Sequence, residues 1–119
     1  IVHLVKNRLK NGQVIRVVAD QFRSPTWVED IARAIELLLS SQHQGTYHIC
    51  GCETLSVADI AHRVAKHFGL DESLIQSVTT EEMNEATPRP LYSPMNTQKA
   101  FRKLGYEPSL LEEGLREWE

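Results

Sequence analysis

Val17-Val18-Ala19-Asp20-Gln21-Phe22-Arg23-Ser24-Pro25-Thr26, running on into Val28-Glu29-Asp30-Ile31-Ala32, decides how this chain is read. Val14, Ile15, Val17 and Val18 form a β-branched run that predicts a short buried strand. A polar loop follows, and Pro25 biases Ser24 toward an extended backbone. Thr26, with Glu29 three residues on, is expected to cap the next helix as a Thr-x-x-Glu box. Polar side chains are thus held on a rigid strand-to-helix connection, a place suited to an anion or a sugar, although a purely structural corner reads the same way.

Working outward, Ile1, Val2, Leu4, Val5 and Leu9 recur at near-helical spacing up to the Asn11-Gly12 stop. That helix lacks a start signal, so the chain is expected to be cut from something longer. From Trp27 to Leu39 the stripe Val28, Ile31, Ala32, Ile35, Leu38 and Leu39 predicts an amphipathic helix. Thr46 to Cys50 reads as a second strand closed by Gly51. Ser56 with Asp59 opens a helix whose core face is Val57, Ile60, Ala61, Val64, Ala65 and Phe68. A turn at Asp71–Leu74 and a third strand at Ile75–Val78 come next. Residues 79–96 are irregular, with Pro88, Pro90 and Pro94 preventing a continuous helix. Asn96 is the expected cap of a short helix over Thr97–Leu104, and Ser109 with Glu112 the cap of the last one, with Leu110, Leu111, Leu115 and Trp118 on its apolar side. Strands alternating with helices give an α/β (α+β) class: a small, helix-rich single domain over residues 1–119 with a few short, mostly parallel strands.

The 119 residues are 41% hydrophobic and carry a net charge of −3, so a packed core is expected and neither nucleic acid nor an acidic membrane is the expected partner. Lysines and arginines are scattered rather than grouped. Cys50 and Cys52 would leave opposite faces of a strand, so they read as reduced structural thiols rather than a disulfide, and the expected compartment is the cytoplasm. No stretch is long and apolar enough for a membrane span.

Catalytic signatures are missing from these residues. The six glycines lack the spacing of a dinucleotide-binding turn, and no tyrosine is followed by lysine four residues later. His3, His62 and His67 fall within helices and need no catalytic role. Trp27 and Trp118 suit core or interface anchoring. Binding chemistry remains. Thr87-Pro88-Arg89-Pro90 fixes Arg89 between prolines on an extended backbone, where a guanidinium can clamp a phosphate or diphosphate with paired hydrogen bonds. A plain surface arginine in a proline-rich loop has the same sequence.

Together these stretches resemble dTDP-4-dehydrorhamnose reductases. The likeness is carried by Asp20-Gln21-x-Arg23-Ser24-Pro25-Thr26, Val28-x-Asp30-Ile31-Ala32, Gly45-Thr46-Tyr47-His48-Ile49-x-Gly51 and Ser56-x-x-Asp59-Ile60-Ala61. It continues with Arg89-Pro90-x-x-Ser93, Leu104-Gly105-Tyr106-x-Pro108 and Glu113-Gly114-Leu115. The resemblance covers the whole chain but only the C-terminal, substrate-binding part of such an enzyme, an extended short-chain dehydrogenase/reductase. It implies a nucleotide-sugar (dTDP-4-keto-6-deoxy-sugar) substrate, NADPH or NADH in the parent enzyme with no cofactor bound by this chain alone, and a catalytic Rossmann domain N-terminal to it. It further implies that Gln21, Arg23 and Thr26 lie near the sugar-binding cleft and that Arg89 is a candidate for contacting the nucleotide diphosphate. Two alternatives stay open: the corresponding part of a nucleotide-sugar epimerase or dehydratase, and a non-catalytic interaction module resembling the regulatory β subunit of methionine adenosyltransferase. For the latter, the first helix, through Ile1, Val2 and Val5, is the expected docking face, which would also allow a homodimer.

Overall fold

The computed structural model describes residues 1–118. They divide into two compact units, the first formed by Ile1–Arg23 with Leu55–Ser93, the second by Ser24–Thr54 with the chain from Pro94 onward.

In the first unit, α1 (Val2–Lys10) ends at Asn11 and Gly12, whose φ of +66° lets the chain turn back so that Gln13 N–H reaches Arg8 O at 2.9 Å. β1 (Ile15–Val18) then pairs in parallel with β4 (Ile75–Val78), in the register Ile15↔Ile75 through Val18↔Val78. Between them runs α3 (Val57–His67), whose Ile60, Ala61, Val64 and Ala65 are buried as the apolar spacing predicts, whereas Val57 and Phe68 are only half-buried and Ala58 is buried beside them. Ser56 and Asp59 form the expected reciprocal cap: Asp59 N–H donates to Ser56 Oγ at 2.9 Å, and Ser56 N–H to the Asp59 carboxylate at 3.1 Å. Val5 and Leu9 of α1 are also buried, so the inward face of the first helix is already covered, while Ile1 and Leu4 remain exposed. An antiparallel pair joins β2 (Phe22–Arg23) to β3 (Leu55–Ser56), an element that the sequence did not announce. A 3₁₀ turn at Glu72–Leu74 and the four-residue α4 (Thr80–Met83) complete this unit. The expected turn over 71–74 is present; α4, capped by Thr79 with Glu82, lies in a stretch that reads as irregular.

The second unit contains α2 (Val28–Ser40), α5 (Gln98–Leu104) and α6 (Leu111–Arg116). Its core joins Ala34 of α2 to Ala100 and Leu104 of α5 and to Tyr106, with Leu37, Leu38, Tyr47 and Ile49 packed around them. Three expectations need correction here. The expected apolar stripe of α2 is not its buried face: Val28, Ile31, Ile35 and Leu39 are 66, 40, 51 and 81% exposed. Asp30 and Ala34 are buried instead, because the helix packs on α5 through a small side chain. The second strand does not form. Thr46–Cys50 keeps the alternation of a strand, with Tyr47 and Ile49 inward and Thr46 and His48 outward, but joins no ladder among the described residues. Finally, Ser109 does not cap α6, whose first turn is satisfied by Glu113 accepting Leu110 N–H at 2.7 Å. Asn96 stands one residue before the α5 cap position, and its Oδ1 still accepts Gln98 N–H at 2.8 Å. No helix among the described residues is long and apolar enough to cross a membrane.

Candidate functional site

Gln21 sits just after β1 and is only 2% exposed, a burial that an amide tolerates only when both ends are bonded. Its Nε2 donates to Thr80 Oγ1 at 3.1 Å, and its Oε1 accepts Arg23 Nη2 at 2.7 Å. Thr80 Oγ1 in turn donates to Asp20 Oδ1 at 2.7 Å, and the Asp20 carboxylate also accepts Thr80 N–H at 2.9 Å. Those Thr80 bonds, backbone first, hold the Asp20 carboxyl below the usual carboxylate range. The strand end at Asp20 and the start of α4 are thereby tied together across 60 positions of sequence.

Arg23 carries the connection onward. Its Nη1 donates to Phe22 O at 2.8 Å and to Pro90 O at 3.0 Å. Phe22 N–H meets Leu91 O at 2.7 Å, Ser93 N–H meets Phe22 O at 3.2 Å, and the Phe22 and Tyr92 rings lie 6.2 Å apart. The segment around Arg89 is thus fastened to β2 by backbone bonds and by one guanidinium. Arg89 itself is exposed and forms an ion pair with Glu85 at 2.7 Å. An exposed pair of this kind is worth little, so the guanidinium is available to a better anion.

Thr26 belongs to the second unit and does not cap α2: Trp27 holds that position without a side-chain bond. The Thr26 hydroxyl instead donates to Ser24 O at 3.0 Å and accepts Gly51 N–H at 3.0 Å. Gly51 has to be glycine, since a Cβ there would fall 1.8 Å from Pro25 O. Close by in sequence, Asp30 is fully buried and accepts from Ser109 N–H at 2.8 Å, from Ser109 Oγ at 2.9 Å and from Arg33. The structure therefore brings Gln21, Arg23 and the Arg89–Pro90 segment into one network in the first unit, and uses Thr26 to fix the Ser24–Thr26 corner in the second. Asp20 is legible as part of the polar loop, but sequence reasoning missed Thr80 as its partner, to which only the hydroxyl of that residue hinted.

A cavity of about 520 Å³ in the second unit is lined by His48, Lys99, Arg102 and Lys103. Its cations are partly committed, Lys99 to Thr46 O at 2.7 Å and to the Tyr47 ring, Arg102 to Gln98 at 2.8 Å. Cys50 is buried and Cys52 exposed, both as free thiols, and no three His, Cys, Asp or Glu side chains among the described residues group to hold a metal.

The family model described as RmlD substrate binding domain matches residues 1–118. The chain belongs to this family. Its sequence is 40% identical over 106 residues to the spore coat polysaccharide biosynthesis protein SpsK of Bacillus subtilis (strain 168), covering 89% of this chain and 36% of that protein. Its fold matches dTDP-4-dehydrorhamnose reductase from Bacillus anthracis str. Ames, solved in complex with NADP, with a TM-score of 0.88 and 30% identity over 99% of this chain and 42% of that one. A dTDP-4-dehydrorhamnose reductase ortholog from Clostridium acetobutylicum ATCC 824 superposes with a TM-score of 0.90 at 27% identity, again over 99% and 42%. The fold is thus the C-terminal part of the extended short-chain dehydrogenase/reductase architecture, and the chain spans about two-fifths of the length of the RmlD-family proteins it matches.

Proposed function

We propose that this RmlD-type chain is the nucleotide-sugar-binding portion of a cytoplasmic, NAD(P)H-dependent reductase of dTDP-4-keto-6-deoxy sugars, with Gln21, Arg23 and Arg89 as substrate-binding residues of the first unit and Thr26 as one of the second. One observation carries the reading: Arg23, fixed by buried Gln21, reaches Pro90 O at 3.0 Å and so joins the Asp20–Arg23 loop to the arginine segment. A ligand diphosphate displacing Glu85 from Arg89 exchanges a screened surface pair for paired, charge-assisted hydrogen bonds. The task of this portion is to bind and orient the sugar, which lowers the barrier by fixing reacting groups in place.

Hydride and catalytic acid belong, in this reading, to a Rossmann domain outside these residues. The residues here do not fit a nicotinamide cofactor: the positive-φ glycines Gly12, Gly45, Gly69 and Gly105 stand singly and form no phosphate-binding turn. Two features of the second unit accord with a missing neighbour. Val28, Ile31, Ile35 and Leu39 leave an apolar face of α2 exposed, and Thr46–Cys50 is extended without a ladder partner among the described residues. In the chain alone, the same face is what a homodimer would bury.

Calorimetric titration with dTDP tests the diphosphate contact. R89A is expected to weaken binding about 10- to 100-fold, the loss of one or two charge-assisted hydrogen bonds. A change under about threefold would remove Arg89 from the site.

A further inference from the structure

The hydrogen bonds behind the proposed ligand arginine all run in one direction. Arg23 Nη2 donates to Gln21 Oε1, Gln21 Nε2 to Thr80 Oγ1, and Thr80 Oγ1 to Asp20 Oδ1. A cation stands at one end and a carboxylate at the other, so each neutral link is polarised in the sense that strengthens the next. Reversing the Gln21 amide would set its NH₂ against the Arg23 guanidinium, which has no acceptor to offer. The buried amide thus has one orientation, and that orientation fixes where Arg23 Nη1 meets Pro90 O.

We propose that Asp20 and Thr80 are positioning residues for the ligand arginine: through Gln21 and Arg23 they hold the Arg89–Tyr92 segment in its binding place. The proposal rests on the diphosphate reading given above. Neither Asp20 nor Thr80 needs to touch the ligand. Their part is to convert a proline-rich loop, fastened to β2 by only a few backbone bonds, into a preorganised clamp.

Valine matches threonine in shape and removes both hydroxyl bonds, whereas serine restores them. In the 119-residue chain, amide hydrogen exchange at Ser93 reports on the fastening of the loop, and at Phe68, bonded to Val64 O in the first unit, on that unit as a whole. T80V is expected to speed Ser93 exchange about tenfold with Phe68 unchanged, to weaken dTDP binding about fivefold, and to be rescued in both by T80S. Unchanged Ser93 exchange in T80V overturns the relay. Faster exchange with unaltered dTDP affinity overturns its positioning role. If the unaltered chain fails to bind dTDP, the diphosphate reading falls and takes this role with it, an outcome separate from either failure of the variant.

Discussion

Removing the Asp30 carboxylate should uncouple the start of α2 from the residues before α6. Asp30 is fully buried and satisfies Ser109 N–H at 2.8 Å, Ser109 Oγ at 2.9 Å and Arg33. In D30A the Ser109 amide loses a charge-assisted acceptor, worth about 1.5–3 kcal/mol, and the hydroxyl about 1 kcal/mol more. Arg33 is 57% exposed and turns to water, so its share is small. The expected cost is therefore about 2.5–4 kcal/mol, and D30N, which keeps one oxygen and the volume, should lose about half of that. Urea denaturation followed by tryptophan fluorescence is the suitable assay. Trp27 and Trp118 both lie in the second unit with ring centroids 6.1 Å apart, so the signal reports on the unit that is perturbed. With a slope of about 1.5 kcal/mol/M, D30A should move the midpoint down by about 2 M. A loss below about 1 kcal/mol for D30A would refute the claim that this buried carboxylate holds the two segments together.

Other outcomes follow from single atoms. G51A places a methyl group 1.8 Å from Pro25 O, a backbone atom that cannot rotate away; the variant should lose at least about 3 kcal/mol, read by the same fluorescence, together with the protection of the residue 51 amide bonded to Thr26. The buried Tyr106 hydroxyl donates to Cys50 O at 3.0 Å, and burial, with the Asp30 charge second, pushes its pKa up to about 12. Its folded pKa lies above the unfolded value near 10, so the stabilisation is complete below pH 10 and is lost as pH rises toward 12. Denaturation at pH 9 and pH 11.5 should differ by up to about 2 kcal/mol in the parent chain, and Y106F should remove that part of the difference. Asp20 has the opposite sign. Its folded pKa lies below the ordinary value, so the bonds it gives Thr80 are intact at neutral pH and are lost as pH falls through the folded pKa; Ser93 exchange, corrected for its intrinsic pH dependence, should quicken there.

Local chemistry was legible in the sequence wherever a signal and its partner lie within one turn or one strand. Ser56 with Asp59, the strand residues Ile15, Val17 and Val18, and Ile60, Ala61, Val64 and Ala65 of α3 appear as read, while Val14 is exposed and Val57 and Phe68 are only half-buried. The resemblance to the reductases rested on such short stretches taken in order, and the family match bears it out. What failed had a distant cause. Thr26 has the chemistry of a cap, but Gly51, 25 residues away, claims its hydroxyl. The periodicity of α2 locates an apolar face without saying what covers it, and within this chain Ala34 and Asp30 face inward instead. Thr46–Cys50 has strand alternation and no strand to pair with among the described residues. In the site, Gln21 and Arg23 were visible as polar residues after a strand, but the Thr80 and Pro90 that hold them are 59 and 67 positions away. Only the folded chain makes those neighbours.

The most direct test is an amide chemical-shift map of the ¹⁵N-labelled chain titrated with dTDP. The account predicts saturable shifts concentrated at Gln21–Arg23 and over residues 85–93, and their loss from the latter stretch in R89A. Shifts confined to other surfaces, or none at millimolar dTDP, would contradict it.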